Sequence, residues 1–191
     1  MLDLSLHIMD IVENSVSAQA TAIRIMIEII VFQNELRIGI ADNGLGMEED
    51  MIRLVQDPFY TSKSQRKKKV GLGIPLFKQS VEMCNGKFSL KSLPGKGTNI
   101  EAVYQYDHID RLPLGNLADT FSSLIIGHPE VDFDLHLQRK MLTGSRKKFH
   151  FSTREVKNEL GDIPLTYPDV ISFIQQHIKE GIKKIELEEI L

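Results

Sequence analysis

The sequence predicts an α+β fold, and three observations predict it. In "HIMDIVENSVSAQA", residues 7–20, the apolar Ile8, Ile11, Val12 and Val16 recur at helical spacing. Residues 22–42 then alternate apolar and polar in two runs, which is strand periodicity. Beyond residue 70 the pattern returns to the helical period for one segment and then to the period of two.

The first helix sets Asp10 and Asn14 one turn apart on a single face, with Glu13 about 100° away around the axis. "AIRIMIEIIVFQNELRIGIAD" supplies two strands turning near Gln33 and Asn34, the second ending at Asp42. "EEDMIRLV", 48–55, reads as a short helix with acids in its first turn. Residues 56–70, "QDPFYTSKSQRKKKV", lack periodicity and form a basic loop. "GLGIPLFKQSVEMCNG" is a helix with Pro75 near its start and Asn85-Gly86 at its end. "KFSLKSL", the turn "PGKG" and "TNIEAVYQY" make a hairpin.

Composition shifts at "DHIDRLPLG", 107–115, which divides the chain into an N-terminal domain, 1–106, and a small α/β extension, 107–191. The extension is expected to pack on or beside the first sheet. Its predicted elements are a helix near 115–126, a hairpin of "VDFDLHLQ" and "KKFHFS" around "TGS", and two helices. Ser152 with Glu155, and Thr166 with Asp169, have capping-box spacing. Val170, Ile174, Ile178 and Ile182 line one core stripe of the last helix.

The 191 residues carry a net charge of -3, with 42% hydrophobic and 26% charged residues. That balance fits a globular chain with a real core and does not indicate a general nucleic-acid or anionic-membrane binder. The single cysteine, Cys84, excludes an intrachain disulfide and reads as a small buried residue. No cluster has zinc-ligand spacing. The longest apolar run, "IEIIVF", is too short to cross a bilayer, and the first residues lack a basic leader region. The expectation is a cytoplasmic protein with no membrane and no nucleic-acid partner. His7 is expected to be a partly exposed helix residue.

Three segments carry chemistry. "ADNGLGM" ends a strand on Asp42, an acceptor-only carboxylate suited to an exocyclic amine, followed by Gly44 and Gly46, which permit close backbone approach. "VGLGI" sets Gly71 and Gly73 before a helix N-terminus, a place suited to phosphate. "SLPGKGT" places Gly95, Gly97 and Thr98 in the following hairpin. Taken singly, each also occurs as an ordinary turn.

Their order over about a hundred residues resembles the GHKL superfamily: gyrase B, Hsp90, histidine kinases and MutL. "DIVENSVSAQATAIRI" is similar to that family's N box, "ADNGLGM" to its G1 box, and "VGLGIPLFKQSVEMCNGKFSLKSLPGKGT" to the G2 region of histidine kinases and the hairpin after it. The resemblance spans roughly residues 4–106. It implies a two-layer sandwich, the Bergerat ATP-binding fold, with a mixed sheet covered by helices, and it implies ATP and Mg²⁺ as cofactors. Asn14 is then the Mg²⁺ ligand. Asp42 binds adenine, Gly44 and Gly46 make room for the base, and Thr98 places a hydroxyl nearby. Gly71, Leu72 and Gly73 meet the phosphates. Phe59, Thr61, Ser62 and Lys63 fall where the family has its lid, and the cations Arg66 to Lys69 attract the triphosphate.

One departure bears on the reaction. Gyrase-like members carry a Glu four residues before the N-box Asn, where it orients the attacking water; this chain has Asp10 there. Histidine kinases commonly carry Asn at that place. Asp10 is therefore the catalytic candidate, and the sequence favours an ATPase or a hydroxyl-directed kinase resembling anti-sigma factor kinases. The N box lies almost at the first residue, so a stand-alone form without a histidine-phosphoacceptor domain is expected. "HIDRLPL", from His108, echoes an H box on the wrong side of the ATP domain. The alternatives are the ATP half of a split histidine kinase and a nucleotide sensor without catalysis. A protein partner of unknown identity is implied, and a homodimer is left open.

Overall fold

The structure is a computed structural model and describes residues 2–57 and 72–187. Helix α1 (Leu4–Ser17) leads into strands β1 (Ala22–Ile30) and β2 (Glu35–Asp42), then helices α2 (Glu49–Leu54) and α3 (Gly73–Glu82). The hairpin β3 (Lys87–Leu93) and β4 (Gly97–Gln105) follows. Then come α4 (Leu117–Gly127), β5 (Asp132–Lys140), β6 (Arg146–Ser152), α5 (Thr153–Leu160) and α6 (Pro168–Lys184).

Helix α1 begins earlier than its apolar stripe suggests, because Asp3 caps it: Asp3 Oδ1 accepts from Leu6 N at 3.0 Å. The turn between β1 and β2 is a single 3₁₀ turn closed by Asn34 in the left-handed region, φ 55°. Asn34 is pinned there, donating from its carboxamide to Asp107 at 2.7 Å and accepting from Tyr106 N on its backbone oxygen at 2.9 Å. Asn85, φ 52°, ends α3 in the same conformation.

The described strands form one mixed sheet in the order β3-β4-β2-β1-β5-β6. Strands β1 and β5 pair in parallel, Ile25 opposite Leu135, and the remaining pairs are antiparallel. The sheet is thus continuous across residue 107, with β5 and β6 extending it rather than forming a separate layer. The segment before α4 also returns to the start of the chain, where Leu4 N and Ser5 N donate to the carbonyls of Pro113 and Leu114 at 2.9 Å each.

One face of the sheet is apolar. Ile23, Ile25, Ile27 and Ile29 of β1, Leu36, Ile38 and Ile40 of β2, and Phe133, Leu135 and Leu137 of β5 are buried there. They join a single core with Leu4, Ile8, Ile11 and Val12 of α1 and Phe77 and Val81 of α3. Phe121 and Leu124 of α4, and Val170, Ile174, Ile178 and Ile182 of α6, belong to it too. Each fully buried isoleucine contributes about 1.5–3 kcal/mol. The opposite face carries the alternate residues, among them Arg24, Glu28, Asp134 and His136. Cys84 is buried, and burial pushes its thiol pKa up, as expected of an inert core residue.

Three expectations are corrected. His7 is 3% exposed rather than partly exposed. It stacks on Phe77 with ring centroids 5.4 Å apart, and burial lowers its pKa to about 4. Ser152 is the N-cap of α5, in the extended geometry usual for that position, but its side chain makes no capping hydrogen bond. Its neighbour Thr153 instead accepts from Phe133 N at 2.8 Å. Helix α6 starts at Pro168 behind an extended Tyr167, so Thr166 is not its cap. Among the described residues no helix is long and apolar enough to cross a membrane.

Candidate functional site

A cavity of about 520 Å³ lies on the apolar side of the sheet, between α1, the end of β2, α2, α3 and β4. Ile11, Ile40, Met47, Val55, Ile74 and Ile100 give it apolar walls, and Asn14, Ser15, Asp42 and Thr98 supply its polar groups. Concave apolar sites with a few convergent polar groups are the usual form of small-molecule sites.

Asp42 is fixed from three directions. Its Oδ2 accepts from Ser15 Oγ at 2.7 Å, and its Oδ1 accepts from Gly44 N at 2.9 Å and Thr98 N at 3.2 Å. An ionised carboxylate has about four acceptor positions, so Asp42 keeps capacity for a ligand N–H. Ser92 Oγ donates to Gly97 O at 2.9 Å, so in the 2.9 Å contact between the Ser92 and Thr98 hydroxyls Thr98 is the donor. The Thr98 oxygen remains free to accept.

The glycines act on the protein's own backbone. Gly46, φ +67°, lies where a Cβ would stand 2.0 Å from Leu93 O. Gly97, φ +89°, lies where a Cβ would stand 1.9 Å from Asp42 O. Both the positive φ and the contact require glycine. At Gly44 a Cβ would meet Ala18 O at 2.7 Å. On the side where a Cβ would stand, Gly44 and Gly46 meet the chain's own backbone, and Gly46 also lines the cavity. Together these approaches clamp the loop after β2 between α1 and the β3–β4 hairpin.

Asp10 and Asn14 share one face of α1, and α3 begins against it. A Cβ on Gly73 would stand 3.0 Å from Asp10 Cβ, 3.3 Å from Asp10 Oδ2 and 3.6 Å from Asn14 Nδ2. Leu72 is the exposed N-cap of α3, and no side chain among the described residues caps that terminus. Burial pushes the Asp10 carboxyl pKa up, and the negative charge of Glu13 adds to this. Glu13 itself turns to α4, its Oε1 3.0 Å from His128 Nε2, and stays out of the site. Phe59, Thr61, Ser62, Lys63 and Gly71, with the basic run Arg66 to Lys69, lie outside the described residues.

Sequence reasoning missed Ser15, Met47 and Met51 as cavity residues. For Ser15 a signal existed: it continues the buried stripe of Ile8, Ile11 and Val12, where a hydroxyl needs a partner. His108, the start of the H-box echo, accepts from Asp110 N at 3.1 Å in a local turn.

Several known proteins are similar to this chain. The sensor protein DegM of Bacillus sp. (strain B21-2) is 30% identical over 93 residues, covering 49% of this chain and 24% of that protein. The sensor protein kinase WalK of Staphylococcus haemolyticus (strain JCSC1435) is 34% identical over 80 residues, covering 40% of this chain and 13% of that protein. The chain therefore spans a quarter or less of the length of these relatives. The Aquifex aeolicus MutL ATPase domain complexed with ADP superposes with a TM-score of 0.45 at 16% identity, over 72% of this chain and 60% of that one. Residues 2–108, more than half of the 191, match the family described as histidine kinase-, DNA gyrase B-, and HSP90-like ATPase. The chain belongs to this family of histidine kinase-, DNA gyrase B- and HSP90-like ATPases.

Proposed function

We propose that the chain binds Mg·ATP in the cavity over Asp42 and acts as a regulatory ATPase or hydroxyl-directed protein kinase, resembling anti-sigma factor kinases. The observation that supports this most is the Asp42 carboxylate, held by three donors and facing an apolar cavity of about 520 Å³. Such an acceptor suits the exocyclic amine of adenine, and Ile40, Ile74 and Ile100 offer apolar surface to a purine. Thr98 Oγ accepts a further hydrogen bond.

Asn14 lines the same cavity with a carboxamide that makes no hydrogen bond among the described residues. Its oxygen suits Mg²⁺, which prefers oxygen ligands and retains several waters. The N-terminus of α3, with Leu72 and Gly73 and no capping side chain among the described residues, offers amides and a positive dipole end to phosphate oxygens. Gly71 and the lid residues Phe59, Thr61, Ser62 and Lys63 complete the proposed phosphate contacts. When bound, ATP supplies a transferable γ-phosphoryl group.

Asp10 is the proposed base. Its raised pKa makes its carboxylate a better proton acceptor than an ordinary aspartate. That favours hydrolysis or transfer to a hydroxyl. A protein partner of unknown identity would receive the phosphoryl group or the regulatory signal, and a cytoplasmic location is part of the same reading.

A second reading is the ATP-binding part of a split histidine kinase, favoured by the sensor-kinase relatives. Incubation with γ-labelled ATP and Mg²⁺ separates the two. Free phosphate, or acid-stable label on a protein hydroxyl, supports the first. Acid-labile label on histidine supports the second. Absence of calorimetric heat on titrating ATP or ADP into folded protein overturns both.

A further inference from the structure

The polar face of the sheet carries a second cluster, built by strand geometry far along the chain from the nucleotide motifs. Alternation places Asp134 and His136 of β5 on this face. Antiparallel pairing puts His150 of β6 directly opposite His136, and Ser152 opposite Asp134. Asp134 and His150 are therefore diagonal neighbours across the ladder, within side-chain reach.

Both imidazoles turn the same nitrogen toward one carboxylate. His136 Nε2 lies 2.9 Å from Asp134 Oδ2, and His150 Nε2 lies 2.6 Å from Asp134 Oδ1. The two rings are 4.5 Å apart, tilted by 33°. The three donor atoms all fall within 4.8 Å of one another. The side chains remain 30% to 44% exposed, so an ion arrives directly from solvent.

We propose that Asp134, His136 and His150 form a three-ligand site for a divalent transition ion of the zinc class, on the face of the sheet opposite the nucleotide cavity. Two imidazole nitrogens and one carboxylate oxygen match what zinc and its neighbours accept, whereas Mg²⁺ and Ca²⁺ select all-oxygen sets. Zinc holds such ligands at about 2.0–2.2 Å, which sets donor atoms about 3.4 Å apart in a tetrahedron. The present 2.6 and 2.9 Å contacts reach that spacing by small side-chain rotations on a fixed backbone. Ligation through Nε2 places the ring proton on Nδ1, a tautomer change that needs no ionised imidazole. Arg24 Nε donates to Asp134 Oδ2 at 2.9 Å and orients the carboxylate from outside. Its positive charge also opposes a second cation, which tunes affinity downward. Three protein ligands leave a position for water.

The spacing of these residues hides the site. Asp134 and His136 are two apart, but His150 joins them only through the β5–β6 register. None of the three belongs to the proposed ATP site, so the two readings stand or fall separately.

The test uses the full chain, purified without a polyhistidine tag and stripped with chelator. Titration with Zn²⁺, and with Co²⁺ as its coloured substitute, is followed by metal analysis after gel filtration and by visible absorption. One tightly retained ion per chain is expected, with nitrogen–oxygen rather than thiolate bands for cobalt. His136→Ala and His150→Ala are each expected to weaken binding at least about tenfold. Circular dichroism verifies the fold of each variant, and His136→Gln or His150→Gln replaces an alanine variant that does not fold. A folded wild type that retains no ion, or variants that bind as the wild type does, overturn the proposal.

Discussion

Ser15 Oγ donates to Asp42 Oδ2 across 2.7 Å, joining the buried stripe of α1 to the end of β2. The bond sets the carboxylate rotamer at the floor of the cavity. A hydrogen bond from a buried hydroxyl to a charged acceptor is worth about 1.5–3 kcal/mol. Ser15→Ala is therefore expected to lower stability by about 1–2 kcal/mol and nucleotide affinity by several-fold. Asp42→Asn, which replaces an acceptor oxygen with a donor, is expected to lower affinity by about 100-fold or more while the protein stays folded. Calorimetry with ADP and thermal melting of both variants check this pair. Equal affinities in Asp42→Asn and wild type would sink the assignment of Asp42 to the base.

Under the proposed assignment, Asp10 serves the chemistry and Asn14 the binding, and substitutions separate the two. Asp10→Asn is expected to abolish ATP turnover with ATP affinity nearly unchanged, whereas Asn14→Ala is expected to weaken Mg·ATP binding. Burial raises the Asp10 pKa, so a carboxylate acting as the proposed base is protonated, and lost, at a higher pH than a free aspartate would be. A pH–rate profile of the wild type should show that acidic limb. A turnover rate that survives Asp10→Asn intact refutes the base assignment.

His7 makes folding pH-dependent. Folded His7 holds its proton only below about 4, against 6.5 for a free imidazole, because burial against Phe77 disfavours the cation. The unfolded chain thus binds the proton first. The His7 contribution to stability is expected to be complete above about 6.5 and to be lost as pH drops toward 4, by on the order of 2–3 kcal/mol. His7→Leu is expected to flatten that slope. Denaturant melts at pH 7, 5.5 and about 4 compare the two proteins. A parallel decline in both shows that other groups carry it.

Gly97 closes the hairpin onto Asp42. Any Cβ there collides with the Asp42 carbonyl oxygen, and φ +89° strains the residue besides. Gly97→Ala is expected to cost more than about 2 kcal/mol and to displace Asp42 from its three donors. A melting temperature within a degree or so of wild type would remove this account of the glycine. Gly95, φ +69° with open space around it, is the contrasting position: Gly95→Ala meets only the backbone cost, about 1 kcal/mol.

Periodicity by itself determined α1, the β1–β2 pair, α3 and the β3–β4 hairpin, because each rests on contacts between residues near in sequence. The order of the glycine and aspartate boxes likewise determined the family and pointed to Asn14, Asp42 and Thr98. The tertiary structure alone decided that β5 lies parallel to β1, with Arg24 beside Asp134 more than a hundred residues away. It also decided that His7 is buried, that Ser15 holds Asp42, and that His136 faces His150. The physical reason is the same in each case. Local pattern says which side of an element is apolar, but which elements share a register is set by the packing of the whole core, and every partner of a polar side chain across the sheet follows from that register.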